Sequence, residues 1–239
     1  MTQGIILAAG LGRRMRGATG GLPKSLMSVK GTPLIERNIE RMLEADFERV
    51  VVVTGYRADA FAYLPEKFGG IVELAYNPLF ETSNTVSSLY TVKDMLDRDS
   101  YITTADLFLA GNPYLKYCDD KCFYLLRPEH QYMKPDWIAE LDDNGRFLSV
   151  DTRGLSGYSY TGISHWTADG SRYIRGLLNA VDLGDSVQAK QYWDELLLTR
   201  FGEFDLRSMI LRSDDEIYEF DDLGDIEAFE AEEGLKVDY

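Results

Sequence analysis

Cysteine and histidine are almost missing from this chain of 239 residues, with 2 of each. Cys118 and Cys122 lie close together in YCDDKC, which is neither a disulfide framework nor a set of zinc ligands. Two thiols in a chain of this length fit a reducing cytoplasm. His130 and His165 stand far apart, and no serine–histidine or cysteine–histidine constellation accompanies them. Both read as structural or surface residues. Long apolar runs are also lacking, since none approaches the ~20 residues that cross a bilayer. The first residues do not read as a signal peptide, because the apolar stretch is very short and positive charge follows it rather than preceding it. Positive charge is scarce: 25 Lys and Arg oppose 40 Asp and Glu, for a formal charge of −15. Such a chain is not expected to wrap nucleic acid, which is held by basic surfaces. The acidity serves solubility, or it attracts a cationic substrate or a metal ion. No internal repeat, low-complexity tract or flexible linker is evident.

What is present is enough apolar sequence, 45%, to build a real core. The length suits one domain, or one domain with a sizeable insertion. GIILAA reads as a strand buried on both faces, and RVVVVTGY, IVELAYN and YITTADLFL as three more. Between them PLIERNIERMLEADF has helical spacing. ADAFAYLPEKF predicts a short helix broken near Pro65. NTVSSLYTVKDML predicts a helix capped by Ser83 or Asn84. This alternation predicts an α/β protein with a mostly parallel open sheet over roughly the first 110 residues. In such sheets ligands bind beyond the carboxyl ends of the strands. From Cys118 onward CFYLLRP, WIAELDDNGRFLSVDT and GYSYTGISHW alternate and carry turn signals. They predict an antiparallel insertion acting as a lid, with a hairpin turn at Asp143-Asn144-Gly145. SRYIRGLLNAV and AKQYWDELLLTRF return to helical spacing, and DEIYEFDDLGDIEAFEAEE predicts a strand, an acidic turn and a last helix. We treat residues 1–239 as one domain in two halves, 1–117 with the parallel sheet and 118–239 with the insertion and the C-terminal helices.

The first strand runs into Ala8, Ala9, Gly10 and Gly12, followed by Arg13, Arg14, Arg16 and Lys24. Small residues let backbone N–H groups approach a phosphate, and cations against an acidic background suit a polyphosphate. The alternative is an ordinary strand-to-helix turn with solvated arginines. The loop is not a P-loop, because Lys24 is outside G-K-S/T. Nor is it the dinucleotide fingerprint, because the third glycine is missing.

LAAGLGRRM followed by LPKSL resembles the signature loop of nucleotidyltransferases that activate sugar phosphates and alcohol phosphates. YNPLFETSNTVSSLYTVKDML, QYWDELLL and EIYEFDDLGDIEAFE more loosely resemble bacterial phosphocholine cytidylyltransferases and their aminoethylphosphonate-using relatives. The resemblance implies a Rossmann-like nucleotidyltransferase fold. It implies that Leu7, Ala8, Ala9, Gly10, Gly12, Arg13, Asn84, Ser87 and Ala105 bind the nucleotide. It gives Lys24 the charge on the reacting α-phosphate, with Arg14 beside it. It makes Asp106 a Mg²⁺ ligand, although Thr104-Ala105-Asp106 keeps only the last aspartate of the usual motif. The second ligand would come from the acidic turn, Asp221 rather than Asp222. Taken singly, Asp221, Asp222 and Asp225 read as a helix-cap cluster.

The second half gathers Trp137, Tyr158, Tyr160, Trp166, Tyr192 and Trp193, with Asp136, Asp194 and Glu195 next to tryptophans. Aromatic faces with carboxylates suit a quaternary ammonium. Any one tryptophan taken singly is more commonly a core residue. The resemblance singles out Trp137 and Tyr192, with Asp136 and Asp194, as acceptor-binding, and leaves Trp166 structural. The expected activity is CMP transfer from CTP to an amine-bearing phosphate or phosphonate, phosphocholine first and 2-aminoethylphosphonate second. No nucleic acid or membrane partner is expected, and the oligomeric state stays open, a homodimer among the options. A sugar-1-phosphate nucleotidyltransferase and a catalytically silent nucleotide-sensing protein on the same fold are the alternatives.

Overall fold

The protein is described from a computed structural model covering residues 1–13, 15, 19–212, 216–220, 222–234 and 237–238. Arg14 and Asp221, named above for catalysis and metal binding, therefore lie outside the described residues.

The first half alternates as its apolar pattern predicts: β1 (Thr2–Ala8), α1 (Leu34–Glu44), β2 (Arg49–Thr54), β3 (Val72–Tyr76), α2 (Thr85–Thr91) and β4 (Asp99–Thr104). The continuous apolar runs serve two cores. Ile6, Val50 and Val52 pack with Ile35 and Ile39 on one face of the sheet. Ile5, Leu7, Val51 and Val53 pack with Val86, Leu89 and Trp166 on the other. With both faces covered, the strand centres Ile5–Leu7 and Val50–Val53 are wholly apolar, and the buried polar residues Gln3 and Thr54 lie towards the strand ends.

β5 (Leu107–Leu109), β6 (Cys122–Leu126), β7 (His130–Leu141), β8 (Phe147–Trp166), α3 (Ala168–Asn179), β9 (Leu206–Ile210), β10 (Ile217–Glu219) and α4 (Leu223–Glu233) follow. The eight-stranded sheet runs β9-β6-β8-β4-β1-β2-β3, with β7 paired to β8 off this path. β4, β1, β2 and β3 are parallel, as are β9 and β6. β8 is antiparallel to both β4 and β6. The fold is thus the expected mostly parallel α/β sheet with an antiparallel insertion. β1, β2 and β4 end level, with Leu7 opposite Thr104 and Ala8 opposite Thr54. The β7–β8 hairpin brings Asp136, Trp137 and Tyr160 to that edge, beside Leu7 and Thr104, while its turn at Gly145 packs on β9 at Ser208.

Two local expectations change. YITTADLFL is not one strand: β4 stops at Thr104, and β5 pairs instead with β10, leaving Ala105-Asp106 in the break. AKQYWDELLLTRF is two 3₁₀ turns, Gln188–Lys190 and Trp193–Leu197, with Gln191 and Tyr192 extended between them. The cause is tertiary. The Ala189 and Gln191 carbonyls accept from Asn84 N and Val86 N, satisfying the free amides at the start of α2. The helix over ADAFAYLPEKF is interrupted near Pro65 as expected, into a 3₁₀ turn, Ala58–Phe61, and a helical turn, Leu64–Lys67; Pro65 lies in the first turn of the second piece, where its missing N–H costs nothing. Of the two expected caps for α2, Asn84 fills the role, accepting from Thr85 N at 2.8 Å. Among the described residues no helix is long and apolar enough to cross a membrane.

Candidate active site

At the carboxyl edge of the sheet lies a cleft of ≈ 570 Å³. Leu7, Ala8, Ala9, Gly10, Gly12 and Arg13 form one wall, and Lys24 and Ala105-Asp106 its floor. Gly12 has φ +53°, in the left-handed region that favours glycine. Gly55, at the end of β2, admits no side chain: a Cβ there would meet Ala9 O at 2.8 Å and Phe80 Cβ at 2.6 Å. The facing wall is the loop after β3. Asn77 is buried, donates to Ser87 Oγ and Ser88 Oγ, and accepts from Leu79 N, so its side chain pins the loop from behind.

Lys24 follows Pro23 in a short 3₁₀ turn, and its ammonium meets Asp106 Oδ2 at 2.6 Å. Burial alone would push the Asp106 carboxyl up, but the Lys24 charge and hydrogen bond hold it below the usual carboxylate range. Asp106 Oδ1 is buried with no hydrogen-bond partner. The two residues singled out for catalysis and metal binding are therefore neighbours, with one carboxylate oxygen uncommitted.

Asn84 lines the cleft, although its side-chain oxygen is committed to the helix cap. Ser87 is buried behind the wall, bonded to Asn77, Ser83 and the Asn84 carbonyl. It is placed to support the loop rather than to face the cleft. Phe80, Glu81, Thr85, Ser88, Thr104 and Glu219 line the cleft without having been singled out by sequence. Nothing in their local spacing marks them, since the turns that aim them are fixed by tertiary bonds.

A second cavity of ≈ 160 Å³ adjoins the first, and Leu7, Thr104, Tyr192 and Glu219 line both. Asp136, Trp137, Tyr192 and Asp194 converge here from the hairpin and from the turn after Gln191. Trp137 meets Tyr192 edge to face at 5.7 Å and Tyr160 at 5.9 Å. Tyr124 and Trp193 complete the ring wall. Asp194 accepts from Tyr124 Oη at 2.6 Å. Burial among these rings raises its carboxyl to about 7, although the tyrosine bond works the other way. Asp136 accepts from Trp137 N at 2.7 Å. Glu195 does not reach the cavity; it accepts from Tyr192 N and holds the turn. Trp166 is fully buried and donates to Ser164 Oγ, as a core residue should. His165 is buried beside Tyr101 and Phe123, and burial lowers its pKa. Tyr158 lies on a separate cavity along the hairpin.

In the acidic turn Asp222 caps α4, accepting from Gly224 N and Asp225 N, while Asp225 accepts from Asp222 N. Both carboxylates are thus held by the helix start. Among the described residues no group of three or more His, Cys, Asp or Glu could hold a metal ion.

Comparison with known proteins agrees with this layout. Residues 4–117, the half that carries the signature loop and Asp106, match the MobA-like NTP transferase domain. The chain is 32% identical to a 2-aminoethylphosphonate cytidylyltransferase of Lancefieldella rimae, over 96% of this chain and 92% of that one. It is 33% identical to a choline-phosphate cytidylyltransferase of Haemophilus influenzae, over 92% of this chain and 93% of that one. The structure superposes on the CTP:phosphocholine cytidylyltransferase of Streptococcus pneumoniae with a TM-score of 0.87 and 30% identity, covering 96% of this chain and 98% of that one. With its loop, strand order and relatives in agreement over nearly its whole length, the chain belongs to the nucleotidyltransferase family, within its cytidylyltransferases.

Proposed function

We propose that this enzyme transfers CMP from CTP to an amine-bearing alcohol phosphate or phosphonate, with phosphocholine its preferred acceptor. The observation that carries this reading is the small cavity of rings and carboxylates that opens onto the nucleotide cleft beside Lys24 and Asp106. The amine end of the acceptor enters that cavity, and its phosphate end lies at the shared wall. An ionised phosphate or phosphonate oxygen attacks the α-phosphorus of CTP, the bond to the β-phosphate oxygen breaks, and pyrophosphate leaves. The nucleophile is already an anion, so no protein base is required.

The chain supplies position and charge. Backbone N–H groups from Ala8 to Gly12 cradle the triphosphate, and Arg13 and Arg14 add cationic charge. Lys24, on the cleft floor, faces the α-phosphate. Mg²⁺ suits the donor set, because the uncommitted Oδ1 of Asp106 offers it a hard oxygen, with Asp221 as the second carboxylate. When bound it neutralises phosphate charge. Asp222 is the weaker candidate, since its oxygens are committed to the cap and to Lys134.

Phosphocholine is favoured over 2-aminoethylphosphonate by the character of the cavity. A trimethylammonium group has no N–H to donate and is held by ring faces and net negative charge. Tyr124, Trp137, Tyr160, Tyr192 and Trp193 provide the faces, and Asp136, Asp194 and Glu219 the charge. Two of those carboxylates already accept protein hydrogen bonds, leaving fewer acceptors for a primary ammonium. The test is pyrophosphate release with CTP, UTP, dTTP and ATP against phosphocholine, 2-aminoethylphosphonate and glucose 1-phosphate. CTP with phosphocholine should give the highest kcat/KM. Preference for aminoethylphosphonate would overturn the choline assignment alone. Preference for glucose 1-phosphate would overturn the acceptor reading.

A further inference from the structure

The hairpin that walls the acceptor cavity is irregularly paired just where it enters it. β7 and β8 pair at His130↔Gly157 and Gln131↔Ser156, resume at Asp136↔Gly154, and shift again before Ile138↔Asp151. Pro135, within the gap, has no N–H to give a ladder. Beyond Trp137 the strand is well held, since Ile138 and Ala139 pair on both sides, with Asp151 and Val150 and with Ser159 and Tyr158; Asp136 is held only through Gly154, and no pair is formed from Tyr132 to Pro135.

Lys134 supplies a tie at this point. Its ammonium meets Asp222 Oδ2 at 2.5 Å and Asp225 Oδ1 at 3.6 Å, across 88 residues of chain in the first case. Both partners are held in place. Asp222 gives its other oxygen to the N–H groups of Gly224 and Asp225, and Asp225 gives its other oxygen to Asp222 N. The turn that carries these aspartates follows β10, whose Glu219 lies on the wall of the same cavity. One ion-pair network thus joins the wall carrying Asp136 and Trp137 to the wall carrying Glu219.

We infer that Lys134 is a positioning residue for the acceptor, closing the hairpin onto the first turn of α4 and so setting the width of the cavity between Trp137 and Glu219. The inference rests on the acceptor reading above. Lys134 itself is exposed on the surface and touches neither cavity. An exposed pair adds little to folding, so its effect should appear in acceptor binding and not in stability.

Steady-state kinetics on Lys134→Met tests this. KM for phosphocholine should rise roughly two- to fivefold, with KM for CTP unchanged within error. Lys134→Arg, which keeps the charge, should recover most of the loss. Asp222→Asn keeps a residue that caps as well as aspartate while removing the charge. It should reproduce the KM shift, and Lys134→Met/Asp222→Asn should be no worse than either single change. An unchanged KM for phosphocholine, a parallel rise in KM for CTP, or additive single effects would each overturn the proposal. Wild-type preference for glucose 1-phosphate would overturn it together with the acceptor reading. Wild-type preference for phosphocholine with no shift in Lys134→Met would overturn it alone.

Discussion

The nucleotide cleft and the acceptor cavity share a wall but are made of different material. The end of the cleft proposed to take the triphosphate is lined at the end of β1 by the small residues Ala8, Ala9, Gly10 and Gly12. The cavity is mostly side chain, with rings from β6, β7, β8 and the turn around Tyr192, and three carboxylates between them. A triphosphate needs several N–H donors close together, and a strand that ends in small residues provides them. A quaternary ammonium has no N–H to donate, so ring faces and net charge must hold it. Cations stand only on the cleft side, where Arg13 and Lys24 lie among Glu81, Asp106 and Glu219, whereas the charged residues lining the cavity are all acidic: Asp136, Asp194 and Glu219. Lys24 and Asp106 meet on the cleft side, where the proposed reaction would hand CMP to the acceptor.

The largest effect is expected at Lys24. Lys24→Ala should lower kcat by about 10²–10³, the usual cost of losing one donor aimed at transition-state charge, and leave KM for the acceptor nearly unchanged. A variant within about threefold of wild-type kcat would remove Lys24 from the chemistry. Stability should respond to pH in a definite sense. The Asp106 carboxyl is held below its usual range by Lys24, so the pair stabilises the fold above the ordinary carboxylate pKa and stops doing so as pH falls through the lowered value. The melting difference between wild type and Lys24→Ala should therefore be largest near neutral pH and shrink in acid.

This contrast in material also explains what was legible in the sequence. The cleft's loop is contiguous, so LAAGLGRRM and LPKSL announce it in one stretch, and the strands that place it announce themselves by unbroken apolar runs. Trp137, Tyr192 and Asp194 were singled out by residue type and resemblance, and the fold brings them to one cavity. Tyr124 and Glu219 were not, because each looks locally like an ordinary strand residue. Their role arises from β6 lying beside β8 and from β10 pairing with β5, and no local pattern encodes those pairings. The predicted helix over AKQYWDELLLTRF failed for the same reason, since its spacing is helical but its backbone is claimed by the start of α2. Ser87 was read as facing the nucleotide from its place in the motif, and lies behind the wall instead.

Asp194→Asn probes the charge of the cavity. The Asp194 carboxyl, raised to about 7 by burial, is part neutral at physiological pH in the free protein. A cation entering the cavity favours its ionised form, so KM for phosphocholine should fall as pH rises through about 7. Asp194→Asn should raise that KM by roughly tenfold or more and lose this part of the pH dependence. Ionisation of the acceptor phosphate affects both proteins alike, so the ratio of KM values isolates Asp194. Folding stability should move the opposite way. A carboxyl whose pKa is raised in the fold loses stability as pH climbs from its unfolded value towards the raised one. Asp194→Asn should therefore melt above wild type at pH 8 and close to it at low pH. Equal KM values across pH would leave Asp194 with only its bond to Tyr124.

Trp137→Ala separates ring faces from charge. One aromatic face over a cation is worth ~0.5–2 kcal/mol, so KM for phosphocholine should rise by roughly two- to thirtyfold. KM for 2-aminoethylphosphonate should rise less, because a primary ammonium relies more on acceptors. KM for CTP should hold, since Trp137 lines only the smaller cavity. Loss confined to CTP binding or to stability would make Trp137 a core residue and move the acceptor site elsewhere.

The smallest effect is expected at Ser87. Its hydroxyl accepts from Asn77 at 2.9 Å, donates to the Asn84 carbonyl at 3.0 Å and touches Ser83, three residues of the cleft wall. Ser87→Ala removes those bonds, but Asn77 keeps Ser88 Oγ at 3.1 Å. Losing the net value of a buried hydrogen bond costs about 1 kcal/mol, so the melting point should fall by a few degrees. KM for CTP should rise only a few-fold, through a looser wall, while kcat and KM for phosphocholine stay near wild type. A hydroxyl that bonded the nucleotide directly would behave differently. Its removal would weaken CTP binding while leaving the melting point of the free protein unchanged, and CTP would then stabilise the variant against heat less than it does wild type. Thermal shift with and without CTP distinguishes the two, and an unshifted free protein with lost CTP stabilisation would return Ser87 to the nucleotide site.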